Sequence, residues 1–90
     1  MNVILSDYFR YKAKLRGFHL TKLEDIVRYS SERYVDTVTD RLIVIGRHDS
    51  DIVMIPYEQS DNKVTPVTVH VVTRQQITYR LKTGRLVLYE

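Results

Sequence analysis

A histidine, an arginine and a tyrosine near the end of the chain have the chemistry needed to cleave RNA without a metal ion. His70 lies in the segment VTVHVVTRQQ (67–76), and Arg74 and Tyr79 follow it. In such a reaction one side chain removes the proton of the 2′-hydroxyl, cations stabilise the phosphorane and an acid protonates the leaving oxygen. Histidine titrates near neutrality, and arginine binds phosphate through paired hydrogen bonds. We therefore predict His70 and Arg74 as catalytic residues.

Five further side chains are candidates for substrate binding. They are basic or aromatic residues in a predicted turn, at a strand end and on the first helix: Arg47, His48, Tyr57, Lys12 and Arg16. Each also has an ordinary structural explanation. Turn residues are commonly polar, a tyrosine can pack at a sheet margin, and lysines and arginines one turn apart commonly form a solvated helix face. A strand histidine such as His70 can equally be a hydrogen-bonded structural residue, so both interpretations stay open.

Metal and cofactor sites have no support in the sequence. The chain has no cysteine, its three histidines fall in separate predicted elements, and no carboxylate lies two to four residues from His70. Phosphate-binding glycine loops and zinc-protease or serine-hydrolase motifs are also missing from it. We expect no cofactor and no metal ligands.

Composition indicates a small globular protein with a mild positive charge. Ninety residues support a single domain over 1–90, and 43% of them are hydrophobic. The net charge is +3 and the sequence pI is about 9.3, which is compatible with RNA or an acidic protein as partner. No apolar run is long enough for a secretory signal or a membrane span. We expect a cytoplasmic protein without a membrane partner.

The first third of the chain is predicted to form two helices that pack as a hairpin. Ser6 is a suitable N-cap for the first helix, and Gly17 would end it. Its expected apolar stripe is Tyr8, Tyr11, Leu15 and Phe18. Thr21 and Glu24 match a capping box for the second helix, which should end near Ser30.

The remainder is predicted to form four antiparallel strands and a short closing helix. ERYVDTVTD has the mixed pattern of an edge strand, RLIVIG and DIVMIPY read as a hairpin of central strands, and KVTPVTVHVVT forms the fourth strand. Thr73 is the expected N-cap of the closing helix, RQQITYRLK. His70 should face away from Val67, Val69 and Val71. The predicted fold is α+β, an N-terminal helix pair packed on a four-stranded antiparallel sheet with a short C-terminal helix, and the helices should share one face of the sheet.

These segments resemble the BrnT-like toxins and related uncharacterised domains of the RelE-like (barnase–EndoU–colicin–RelE) ribonuclease superfamily. The resemblance covers about 7–80 and depends on FHLTKLEDIV, the strand MIPYE and the segment VTVHVVTRQQITYR. It implies a metal-independent endoribonuclease that cuts mRNA as the toxin of a toxin–antitoxin pair. Thr68 and His70 match the Ser and Arg of the family's S-A-R strand, and Thr73 its later T/S. Arg74 matches the basic residue that follows, and Tyr79 lies beside the helix tyrosine, so the resemblance implies Tyr79 as a third catalytic residue.

The departures from the family pattern support a second hypothesis. His70 replaces an arginine, Val71 stands where a lysine is common, and Gln76 replaces an acidic residue. The alternative is a non-catalytic RNA- or protein-binding module of the same fold. Expected partners are an antitoxin protein, RNA or a second copy of the chain. Because tyrosine is enriched at interfaces, we expect partner contacts from some of Tyr8, Tyr11, Tyr34 and Tyr89.

Overall fold

The computed structural model describes residues 1–89, which form three helices and seven strands. The helices are α1 (Asp7–Leu15), α2 (Leu20–Tyr29) and α3 (Arg74–Lys82). The strands are β1 (Asn2–Val3), β2 (Arg33–Asp36), β3 (Arg41–His48), β4 (Asp51–Ser60), β5 (Lys63–Pro66), β6 (His70–Val72) and β7 (Leu86–Leu88). The α+β class is confirmed. Among these residues no helix is long and apolar enough to cross a membrane.

The seven strands form one mixed sheet in the order β1-β5-β4-β3-β2-β7, with β6 also paired to β4. Among the strand pairs of residues 1–89, only β1–β5 is parallel. The predicted central hairpin is confirmed: β3 and β4 pair from Leu42↔Tyr57 to His48↔Asp51. Its tight turn places Asp49 at a φ of 54°, a left-handed conformation that aspartate tolerates better than most residues.

The predicted fourth strand is two strands. β5 ends at Pro66, and β6 begins at His70 and pairs with a different part of β4, at Ile52–Met54. Val67 still donates its N–H to the Pro56 carbonyl at 2.8 Å, but Pro56 has no N–H to donate in return. Regular pairing is interrupted there and resumes after the chain has shifted along β4.

The expectation that β2 is an edge strand was wrong. β2 lies between β3 and β7, since Leu86–Leu88 pairs with Tyr34–Asp36 on the side away from β3. The polar residues of β2 have hydrogen-bond partners within the fold, which accounts for the mixed polarity of its sequence. Asp36, for example, is buried and bound to Arg85.

The helices lie on both faces of the sheet, which corrects the expectation of a single helical face. One apolar cluster joins α1 and α2 to β3, β4 and β5, and includes Phe9, Ala13 and Leu23. The other joins α3 to the opposite face through Ile77, Ile43, Ile45 and neighbours. Alternate residues of β3 and β4 supply both clusters, because successive side chains of a strand point to opposite faces.

The first helix begins after Ser6 as predicted, and the Ser6 side chain accepts a hydrogen bond from the Phe9 N–H. The face that it buries is not the predicted one. Phe9 and Ala13 are buried, whereas Tyr8, Tyr11 and Leu15 point outward. Phe9 brings no polar atom into the core, while a buried tyrosine hydroxyl would need a partner there.

The second helix starts at Leu20, so the predicted cap at Thr21 was wrong. The N-cap is His19, whose backbone N–H donates to Nε2 of His48 at 2.9 Å. This long-range bond fixes the start of α2, and it could not be predicted from local sequence. The helix ends at Tyr29, with Ser30 as its C-cap, as expected.

Candidate functional site

A cavity of about 270 Å³ opens on the α3 side of the sheet. Its floor is apolar and comes from Ile43, Met54 and Pro56 on the central hairpin. Its walls are polar and mostly basic: Asp36, Thr39, Arg41, His70, Arg80 and Arg85. A small apolar floor surrounded by cations suits an anionic ligand with a flat or apolar part.

Strand pairing and the start of α3 bring the basic walls together. β6 places His70 directly opposite Met54, so both side chains point to the α3 face. The predicted cap of α3 is confirmed, and Thr73 and Gln76 form a complete capping box. Buried Ile77 then anchors the helix, and Arg80 follows one turn later above the cavity.

The surroundings of His70 favour its neutral form. The residue is exposed, but partial desolvation of the ring lowers the pKa of His70, and the positive charges of Arg16 and Arg80 lower it further. Arg16 is fixed beside β6 because its Nη1 donates to the Val69 carbonyl at 3.0 Å. A neutral imidazole between two cations can accept a proton from a hydroxyl group.

Arg80 is the cavity cation without an acidic partner. Its half-buried guanidinium donates to the Met54 thioether at 3.2 Å, a weak acceptor, and within residues 1–89 no carboxylate lies within 4.0 Å of it. By contrast, Arg41 is paired with Glu58 at 3.0 Å. An arginine left in this state favours binding of an external anion such as a phosphate.

Asp36 positions the third arginine of the cavity. Arg85 donates to both carboxylate oxygens, at 2.8 and 3.0 Å, and the backbone N–H groups of Val38 and Thr39 donate to Oδ1. The hydrogen bonds from Arg85, with those from the backbone, lower the pKa of Asp36 to about 2. Asp36 is therefore a permanent carboxylate that orients Arg85, and it cannot donate a proton near neutral pH.

A wider groove of about 780 Å³ continues from the cavity along α3. Its lining is Thr73, Gln75, Gln76, Tyr79, Arg80, Thr83 and Arg85. Arg80 and Arg85 line both the cavity and the groove. Tyr79 is exposed in this groove beside two amide side chains, so a planar group could stack there and form hydrogen bonds.

The structure brings three of the predicted site residues into this region. His70 lines the cavity, Arg16 lies close enough to influence its charge, and Tyr79 lines the adjoining groove. Arg74 lies outside both. It forms two hydrogen bonds with Glu32, at 2.5 and 2.7 Å, which lower the pKa of Glu32 and hold Arg74 at the start of α3.

The other four predicted residues lie away from the cavity. Arg47 is exposed in a separate depression against α2. His48 is buried and stacks on His19, while Lys12 lies 5.8 Å from the Tyr8 ring on α1. Tyr57 is buried in the helix-pair core, and its hydroxyl accepts a hydrogen bond from Arg33 at 3.2 Å.

Sequence reasoning missed five polar residues of the cavity, namely Asp36, Thr39, Arg41, Arg80 and Arg85. The helical phase of α3 carried a signal for Arg80, because it lies three residues after the apolar Ile77. Asp36 and Arg85 had no local signal, since they meet only through the β2–β7 pairing.

Within residues 1–89 no cluster of three or more histidine and carboxylate side chains could hold a metal ion. The side chains that line the cavity and the groove include an imidazole, guanidinium groups and a phenol. No protein-family model, curated protein or solved structure matches the chain.

Proposed function

We propose that the protein is a toxin-like, metal-independent endoribonuclease that binds single-stranded mRNA across the cavity and the α3 groove. The observation that carries the proposal is that Arg80 and Arg85 line both spaces, so one phosphate can sit beside His70 while the next nucleotide lies along Tyr79. Aromatic stacking combined with a basic surface is typical of single-strand binding.

In the proposed reaction His70 is the general base. Its neutral ring takes the proton of the 2′-hydroxyl, and the 2′-oxygen attacks the adjacent phosphorus. Arg80 holds the phosphate oxygens and stabilises the charge of the phosphorane. The bond to the 5′-oxygen breaks, and the Tyr79 hydroxyl is the proposed proton donor to it. The products are a 2′,3′-cyclic phosphate and a 5′-hydroxyl end.

The α+β class supports the family resemblance at a coarse level. The helix pair α1–α2 packs on one face of strands β3, β4 and β5, and a RelE-like domain is our proposal for the rest of the arrangement. We infer on this basis that the chain belongs near the BrnT-like toxins, acts in the cytoplasm and is controlled by an antitoxin protein.

Cleavage of a fluorescent single-stranded RNA in the presence of EDTA tests the proposal. We expect cleavage with cyclic phosphate ends, and a loss of about 100-fold or more in His70→Ala if the histidine is the general base. His19→Ala is the matched control, since His19 is exposed and far from the cavity in the fold. Equal rates in the two variants, or no cleavage above background, would contradict the proposal.

Expression in a bacterial host gives a second test. A toxin-like ribonuclease should arrest growth, and Arg80→Gln should relieve the arrest because it removes the one cavity cation without an acidic partner. Lys82→Gln, on the same helix and outside both cavity and groove, should arrest growth as the unaltered chain does.

A non-catalytic RNA-binding module is the second candidate. The observation that favours it is the charge balance of the cavity, where Arg41 and Arg85 are already paired with Glu58 and Asp36. Two neutralised arginines leave less charge to stabilise a phosphorane. RNA binding that depends on Arg80 and Tyr79, together with no cleavage, would identify this alternative.

A further inference from the structure

The outer face of α1 is an apolar stripe with no partner among residues 1–89. Tyr8, Tyr11 and Leu15 are 65%, 62% and 67% exposed, while Phe9 and Ala13 on the opposite side of the helix are buried. The three exposed residues follow each other at spacings of three and four, so they form one line along the helix. An exposed line of large apolar side chains indicates an interaction surface.

This helix, together with its C-cap Arg16, also carries a net positive charge. Between Asp7 and Arg16 there are four cations and one carboxylate, which matches the net charge of +3 for the full sequence. The other ten lysines and arginines are balanced by the other ten aspartates and glutamates. The α1 segment is therefore one of two positively charged helical segments, since α3 has three cations and no carboxylate.

None of these four cations is neutralised by a carboxylate within 4.0 Å in the described residues. Arg10 and Arg16 donate to backbone carbonyls, at 3.2 and 3.0 Å, and Lys12 lies over the Tyr8 ring. The charges are available to an incoming anionic group.

We propose that the outer face of α1 docks an acidic amphipathic helix of a partner protein. If Tyr8, Tyr11 and Leu15 are taken as the a, d and a positions of a heptad, Lys12 and Lys14 fall at e and g. These flanking positions select partners by charge in helix–helix packing. The partner helix would place apolar residues at its own a and d positions, with glutamate or aspartate beside them.

The same features disfavour other occupants. A second copy of α1 would bring Lys12 and Lys14 against identical lysines, and like charges across a helix pair are repulsive. Single-stranded RNA would use the cations and tyrosines, but Leu15 offers it no stacking surface and Asp7 repels phosphate. This surface is separate from the cavity on the α3 face, so the inference does not depend on the ribonuclease proposal.

The test uses the full chain and three probes. The first is a helical peptide of about three heptads with leucine at a and d and glutamate at e and g, since shorter helices are marginal in water. The second is the same peptide with lysine at e and g, and the third is a single-stranded RNA. Binding is measured by fluorescence anisotropy and located by NMR shifts of the α1 amides.

We expect the glutamate peptide to bind at α1 and the lysine peptide to fail. Tyr11→Ser/Leu15→Ser should weaken binding by about tenfold or more, because few central apolar residues dominate such contacts. Lys12→Glu/Lys14→Glu should reverse the choice of peptide, so that this variant binds the lysine peptide and not the glutamate peptide. Tyr29→Ser is the control, an exposed tyrosine on α2. Unchanged strand amides in each spectrum establish that the variant is folded.

Three results would overturn the proposal. One is that neither peptide shifts the α1 amides. Another is that the charge-reversed variant keeps the preference of the original chain. The third is that RNA shifts the α1 amides and displaces the glutamate peptide, which would make the surface a nucleic-acid contact.

Discussion

At the scale of single residues, the cavity is organised by how each charge is or is not compensated. Asp36 fixes Arg85, Glu58 pairs with Arg41, and Arg80 has only a thioether acceptor beside it. His70 lies next to the uncompensated charge, and desolvation together with Arg16 and Arg80 lowers its pKa. This combination provides a base and an anion-binding group at adjacent positions.

Replacing Arg80 should raise the pKa of His70. Arg80→Gln removes one of the two cations that disfavour the imidazolium, so the pKa should move back towards its ordinary value of 6.5, while partial burial and Arg16 keep it below that value. An NMR titration of the His70 ring measures this directly. Lys82→Gln is the matched control. An identical His70 pKa in Arg80→Gln and the unaltered chain would contradict the coupling.

Asp36→Asn should destabilise the fold at pH 7 by about 1–2 kcal/mol, because it removes the charge that binds Arg85. The folded pKa of Asp36, about 2, is below its ordinary value of 3.8. The stabilisation is therefore present above about pH 4 and is lost as the pH falls towards 2. Urea unfolding at neutral and acid pH measures the difference. Asp51→Asn, an exposed site, should show no such loss, and a pH-independent effect of Asp36→Asn would argue against the ionic explanation.

At the scale of elements, α2 packs so closely on β3 that there is no room for a side chain at Gly46. A Cβ added at Gly46 would lie 2.5 Å from Cγ2 and 2.7 Å from Cγ1 of Ile26. Isoleucine is branched at Cβ and has few alternative rotamers in a helix, so it cannot easily move aside. The glycine is therefore required by packing, and its backbone conformation is not the reason.

Gly46→Ala should lower the free energy of unfolding by about 1–3 kcal/mol through this overpacking. Chemical denaturation measures the loss. In Gly46→Ala/Ile26→Ala the clash is gone, so the double variant should be more stable than the sum of the two single losses predicts. Strict additivity would indicate that the two residues do not compete for space.

Elements whose signals are local could be predicted, and those fixed by distant contacts could not. The Ser6 cap, the central hairpin and the Thr73 cap each depend on a few neighbouring residues and were confirmed. The start of α2 depends on His48, and the orientation of α1 depends on which of two helical stripes meets the sheet. Both stripes have correct spacing, so periodicity alone cannot choose between them.

At the scale of the whole molecule, the sheet separates two surfaces with different properties. The α3 face carries the cavity and its groove, and the helix-pair face carries the basic outer surface of α1. The position of α3 opposite the helix pair was missed because the strands on either side of it, β6 and β7, are short, and β7 pairs with the distant strand β2. His70 could still be singled out from sequence, since its strand phase is local.

The split between β5 and β6 has a consequence for local opening of the cavity. Its floor belongs to β3 and β4, which pair along their length, whereas its wall at His70 belongs to a three-residue strand held only by β4. Amide hydrogen exchange should therefore be slowest in β3 and β4 and faster in β6, with the difference reduced when an anion bridges Arg80 and His70. Equal protection of β4 and β6 would contradict this. The cavity then combines a fixed floor with a wall that can open without global unfolding, so a polymer could enter from the side.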